Sequence, residues 1–194
     1  MDNVEEKQYT SKLNIPLSKE TADKLFEGCE TITVPKNTVL FRQEEPSDMV
    51  YLVCKGMIEQ SAMNSFGKKK TFGFYFEGCV FGEIRHYLGT ETIADARTLQ
   101  PAILKKCPAD EFIKRVVESG LLVDFLENMA QKFHKLYTQL LLLATYSTKD
   151  NLYLLQESES KLTQQQLADY LGSSREHLAR ILIQDKKHNP DNRN

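Results

Sequence analysis

The chain of 194 residues lacks several things that would each have fixed its class. No apolar run reaches the roughly 18 residues that a membrane-spanning helix needs. The opening MDNVEEKQYTSK has no hydrophobic signal core, so a cytoplasmic protein is expected. Cys29, Cys54, Cys79 and Cys107 lie far apart with no C-x-x-C pair, a pattern that neither suggests zinc nor demands disulfides. Residues 1 to 28 hold no cysteine, which excludes an N-terminal iron–sulfur cluster. His86, His134, His177 and His188 are too scattered for a clustered metal set on an enzyme, and His86 alone is a poor basis for haem. Finally, the formal charge of −2 leaves no excess of basic residues for coating nucleic acid. Any DNA affinity must therefore be local. From Lys161 onward six Lys or Arg face four acids, a modest positive patch.

What is present divides by texture. With 41% apolar residues the chain can build a packed core. Residues 17–29 (LSKETADKLFEGC) read as a short amphipathic helix capped by Ser18, with Ala22, Leu25 and Phe26 on one side. From about Glu30 to Lys106, short runs rich in Val, Ile, Phe and Tyr alternate with turn residues, the pattern of an antiparallel β-roll. The runs are TITV, VLFR, MVYLVC, IEQSAM, KTFGFYF, VFGEI and AILKKC. Residues 108–119 read as a helix with Phe112, Val116 and Val117 packing back on the strands. A long helix follows, whose residues Leu122, Phe125, Met129, Phe133, Leu136, Leu140 and Leu143 recur at spacings of three and four. That near-heptad stripe suits a partner helix, so Phe125, Met129, Phe133, Leu136, Leu140 and Leu143 are expected to form a homodimer interface. Another helix opens at Ser147, with Leu152 and Leu155 inward.

The stretch LTQQQLADYLGSSREHLARILI, residues 162 to 183, carries the most specific signal. Thr163 and Gln166 form a capping-box start, Leu167 and Leu171 an apolar pair, and Gly172 can take the positive φ that ends a helix. Ser173 or Ser174 can cap a second helix with Leu178, Ile181 and Leu182 inward. Arg175, Glu176, His177 and Arg180 then face outward in its first two turns, where a recognition helix meets base edges. Arg can pair with guanine through two hydrogen bonds, and Glu can accept from cytosine N4.

At Ser174, Arg175, Glu176, Arg180, Ile181 and Leu182 the chain resembles the recognition helix of the Crp/Fnr family of transcription regulators. Residues 39–56 and the run Gly78-Cys-Val-Phe-Gly-Glu-Ile resemble that family's cyclic-nucleotide-binding roll and the entry to its ligand cradle. The resemblance implies an α+β fold: an effector roll over residues 1–120, a dimerisation helix over 121–146, and a helix-turn-helix over 147–194. It implies a double-stranded DNA operator read by Arg175, Glu176 and Arg180, with Ser174 and His177 beside them, and it admits RNA polymerase as a further partner. In the cradle it points to Gly82 and Glu83, with Arg85 and Arg97 as substitute anion clamps. The Arg-Ser pair that holds the cyclic phosphate in cyclic AMP binders is absent, since Thr92-Ile93-Ala94 stands there. A buried phosphate without a guanidinium is costly, which argues against cyclic AMP and leaves cofactor and effector unknown. The tail QDKKHNPDNRN, 184–194, has no apolar alternation, so the family's β-hairpin wing is expected to be missing and the tail to be disordered beyond the helix. A cyclic-nucleotide sensor with weak or no DNA binding is the alternative reading. An enzyme on a similar roll is the least favoured.

Overall fold

The computed structural model describes residues 15–84, 89–155 and 162–188. They fall into two compact units, one formed by Leu13–Lys68 with Phe72–His134 and one built around Lys135–Asn194. The first begins with helix α1 (Lys19–Leu25), where Ser18 Oγ accepts from the Thr21 amide at 3.1 Å. Eight strands follow: β1 (Glu30–Val34), β2 (Val39–Phe41), β3 (Met49–Lys55), β4 (Ile58–Met63), β5 (Lys69–Tyr75), β6 (Val80–Phe81), β7 (Asp95–Thr98) and β8 (Ala102–Pro108). They form two four-stranded sheets, ordered β1-β8-β3-β6 and β2-β7-β4-β5.

Strand β3 shows how the roll is held. Val50 and Leu52 point to a cluster with Leu25 and Phe26 of the α1 region and with Phe112, Val116 and Phe125. Tyr51 and Val53 point the other way, into the roll with Phe41, Ile58, Phe81 and Leu104. A strand covered on both faces must be apolar at consecutive positions, hence the unbroken VYLV. The helices that cover it are α2 (Ala109–Glu118) and the first half of α3 (Leu122–Thr145). Phe112 is fully buried between Phe26 and Phe125, with ring centroids 5.4 and 5.6 Å away. Each such ring contributes about 1.5–3 kcal/mol by leaving water. Val117, expected to pack inward, is instead 62% exposed, since it lies one residue round the helix from Val116.

Strand β7 has no counterpart among the predicted strands. Its sequence, Asp95-Ala-Arg-Thr, carries no large apolar residue, yet Ala96 and Thr98 are wholly buried. The predicted strand VFGEI shrinks to β6, because Gly82 turns with φ +94° and Glu83 begins a helical turn.

The second unit contains α4 (Thr148–Leu154), α5 (Gln164–Leu171) and α6 (Arg175–His188). Asn151 Nδ2 donates to the carbonyls of Leu142 (3.1 Å) and Tyr146 (3.3 Å), satisfying oxygens left open at the end of α3. Leu152 and Leu155 are buried as expected. Helix α6 continues through Gln184–His188, where the sequence suggested a disordered tail, and residues 189–194 lie outside the described residues.

Candidate nucleic-acid interface and effector site

The α5–turn–α6 unit is built by local chemistry. Thr163 Oγ1 accepts from the Gln166 amide (3.3 Å), and the Gln166 side chain accepts from the Thr163 amide (2.7 Å), completing a capping box. Gly172 ends α5 at φ +69°, and the Ser173 amide donates to Ala168 O at 2.9 Å. Ser174, rather than Ser173, caps α6, its Oγ accepting from the His177 amide at 3.1 Å. The hydroxyl named as a DNA contact is thus already engaged in the cap.

Packing then sets the rotation of α6. Leu178 is completely buried and Ile181 is 8% exposed, against Leu167, Ala168, Tyr170 and Leu171 of α5. Positions 175, 176, 177 and 180 are turned outward, and Arg175, Glu176, His177 and Arg180 are all exposed. Two guanidinium groups and one carboxylate therefore stand on one solvent face. Leu182 is half-buried, and Ile183 is 56% exposed.

The roll treats its candidate residues differently. Gly82 fits because of its own chain: a Cβ there would lie 2.6 Å from Met49 O on β3. No ligand is needed to account for that glycine. The Glu83 side chain is 3% exposed, and Oε1 lies 2.5 Å from Lys132 Nζ of α3. Lys132 also donates to Val80 O at 3.0 Å. The carboxylate expected in the ligand cradle is here an ion-pair partner inside the protein. Sequence reasoning missed Lys132, although a signal existed. It follows Phe125, Asn128 and Met129 at helical spacing on the buried side of α3, and a lysine there requires an acceptor.

Arg97 is not an interior clamp. On β7 it alternates with buried Ala96 and Thr98, so its side chain is exposed on the other face, opposite Glu59 in the β4–β7 register. Arg85 lies outside the described residues, as does His86. Where the cyclic phosphate clamp would stand, Thr92 is buried and its hydroxyl donates to the carbonyls of Arg42 and Glu45. The roll interior holds an aromatic group, with Phe41, Tyr51 and Tyr75 around Phe81 at centroid distances of 6.1, 5.1 and 5.3 Å. Tyr75 donates to Gln60 Oε1 at 2.6 Å, and burial, with Glu83 and Cys79 nearby, pushes its hydroxyl well above the usual tyrosine range.

Exposure divides the stripe expected on α3. Phe125 is 4% exposed and belongs to the core of its own chain, while Met129 and Leu143 are half-buried. The exposed large apolar positions are Val123 (65%), Leu126 (56%), Phe133 (52%), Tyr137 (71%) and Leu140 (65%), with Leu122, Leu136 and Leu141 at 43–47%. Val123, Leu126, Ala130, Phe133, Tyr137, Leu140 and Ala144 repeat at alternating spacings of three and four; Phe133 and Leu140 belong to the expected stripe too, and the others lie one residue from it. Among the described residues no group of three His, Cys, Asp or Glu is placed to hold a metal, and no helix is long and apolar enough to cross a membrane.

Residues 31–118 match the cyclic nucleotide-binding domain family. The anaerobic regulatory protein of Bacillus subtilis (strain 168) is 27% identical, with 81% of this chain and 75% of that protein covered. Among solved structures, the c-di-GMP responsive global regulator CLP of Xanthomonas campestris superposes with a TM-score of 0.75 at 17% identity, covering 87% of this chain and 92% of that one. A CRP/FNR family transcriptional regulator from Thermus thermophilus gives 0.69 at 24% identity, covering 82% and 87%. Residues 31–118 thus match the model of the cyclic nucleotide-binding domain family, within a chain that has the fold of the Crp/Fnr transcription regulators.

Proposed function

We propose that this protein is a dimeric, cytoplasmic DNA-binding transcription regulator. Arg175, Glu176 and Arg180 of α6 read base edges in the major groove, and the β-roll receives the signal. The observation that carries the reading is the orientation of α6: Leu178 and Ile181 are buried while the three polar side chains are all solvent-facing. A helix held this way presents its first two turns to a groove. The dimer is formed by the exposed α3 stripe of Leu126, Phe133, Tyr137 and Leu140. Two-fold pairing sets two recognition helices about 34 Å apart, one turn of B-DNA, and so calls for a palindromic operator.

The signal is not cyclic AMP held in the family's manner. Glu83 is paired with Lys132, and Thr92 stands where the phosphate clamp is required. A signal in the roll acts by shifting a balance between conformations that differ in affinity for DNA.

Selection of bound sequences from a random pool of duplex DNA tests the proposal. An enriched palindrome is expected. Arg180→Ala should lower specific affinity by about 1–3 kcal/mol and relax preference at one base pair of each half-site. Failure to enrich any sequence, or an unchanged base preference in the variant, would reject the role given to α6.

A further inference from the structure

Two cysteines that are 78 positions apart in the chain meet across the β1–β8 edge of the roll. The register pairs Glu30 with Lys106, Cys29 and Cys107 are the next residue on either side of that pair, and their thiols are within hydrogen-bonding reach. Both side chains then share the sheet face that lies under α1 and α2. Cys107 is 1% exposed in that helix-side core, and Cys29 packs against the same cluster while half-buried. Both are free thiols. Burial pushes the Cys107 thiol up to about 12, and a hydrogen bond with Cys29 adds to the shift. Directly opposed residues of antiparallel strands have Cα atoms about 4.5–5.5 Å apart, within the roughly 4.4–6.8 Å that a disulfide accepts.

A cation faces the more accessible sulfur. Arg115 Nη1 of α2 lies 3.5 Å from Cys29 Sγ and also donates to Leu25 O (3.3 Å) and Glu27 O (2.5 Å). Its Nε is fixed by Glu111 Oε1 at 2.9 Å. The guanidinium is therefore tied on both sides, where it can support negative charge on the sulfur that attacks.

We propose that Cys29 and Cys107 form a peroxide-reactive dithiol that closes to a disulfide within one chain. The Cys29 thiolate attacks one oxygen of hydrogen peroxide, an S–O bond forms, the O–O bond breaks, and the departing hydroxide takes up a proton to leave as water. Cys29, oxidised by two electrons, is then a sulfenic acid. The Cys107 sulfur attacks the Cys29 sulfur and loses its proton, the S–O bond breaks, and the hydroxyl leaves with that proton as a second water. Two thiols and one peroxide give one disulfide and two waters. Half-buried Cys29 is the sulfur that peroxide reaches first, and Cys107, buried beside it, is placed to meet the sulfenic acid. The crosslink ties the start of β1 to the end of β8, where the chain enters α2. The chemistry stands on the roll alone and is independent of the DNA-binding proposal.

The full-length protein, treated under native conditions with hydrogen peroxide in slight excess and then unfolded for thiol counting and peptide mapping, decides the matter. Two of its four thiols are expected to be lost, with the peptides containing Cys29 and Cys107 joined inside a single chain. Cys107→Ser should instead stop at a sulfenic acid on Cys29 that dimedone traps. Retention of all four thiols, a linkage through Cys54 or Cys79, or a crosslink between chains would overturn the assignment. The wild-type protein alone settles it, so a variant that folds poorly removes nothing from the test.

Discussion

Replacing Lys132 by Met tests the most consequential contact inside the roll. The side chain keeps its length and apolar stem but loses the ammonium that lies 2.5 Å from Glu83 Oε1. The two side chains are 13% and 3% exposed, so water reaches the orphaned carboxylate poorly. Removing one partner of a buried pair costs about 3–5 kcal/mol, because the remaining charge is left without compensation. The hydrogen bond to Val80 O is lost as well, about 1 kcal/mol net. Against a total stability of about 5–15 kcal/mol, this is a large share. The melting temperature should fall by roughly 8–24 °C, at about 2–4 °C per kcal/mol for a chain of this size. Urea unfolding followed by far-ultraviolet circular dichroism reads the loss directly. Glu83→Gln combined with Lys132→Met removes both charges and should recover most of the stability, giving a coupling of about 2 kcal/mol or more in the double-variant cycle. If Lys132→Met costs less than about 1 kcal/mol, or if the two substitutions are additive, the pair does not hold α3 to β6 and the reasoning fails.

Two further outcomes follow from burial. Leu140 is 65% exposed, so Leu140→Asp should leave the chain folded while shifting sedimentation from dimer to monomer; a dimer that persists would place the interface elsewhere. Stability should also decline in alkali. Cys107 in the fold is raised from 9.0 to about 12, so its contribution is complete below pH 9 and is lost as pH rises toward 12, where the unfolded chain releases a proton that the folded chain retains. Tyr51 and Tyr75, also raised by burial, act in the same direction at higher pH. Unfolding free energies measured from about pH 8 to about pH 11 should fall less steeply in Cys107→Ala, and an unchanged slope would refute the assignment.

The helix-turn-helix was legible because its determinants are neighbours in the chain. Thr163 and Gln166, Gly172, Ser174 and Leu178 each act across one helical turn, so type and spacing suffice to name the cap, the stop and the buried side. The runs that became β3 and β8 were likewise marked by Val, Ile and Leu over several residues. Strand β7 carries no such mark. Ala96 and Thr98 are buried because β2 and β4 flank them, and nothing in Asp95-Ala-Arg-Thr announces it.

Helix α3 divides the two kinds of information most clearly. Its extent, and the existence of an apolar seam, were determined by the sequence itself, since a period of three and four residues is a local property. Which seam faces outward was not, because the helix is apolar at Leu122, Val123, Phe125 and Leu126 alike. Rotation is set by Asn128 donating to the carbonyls of Ile15 and Pro16 and by Lys132 reaching Glu83, partners more than 45 positions away. The same holds for Cys29 beside Cys107 and for Gly82 against Met49. Periodicity can state that a face exists, but only the packed chain supplies the atoms that make one face cheaper to bury than another.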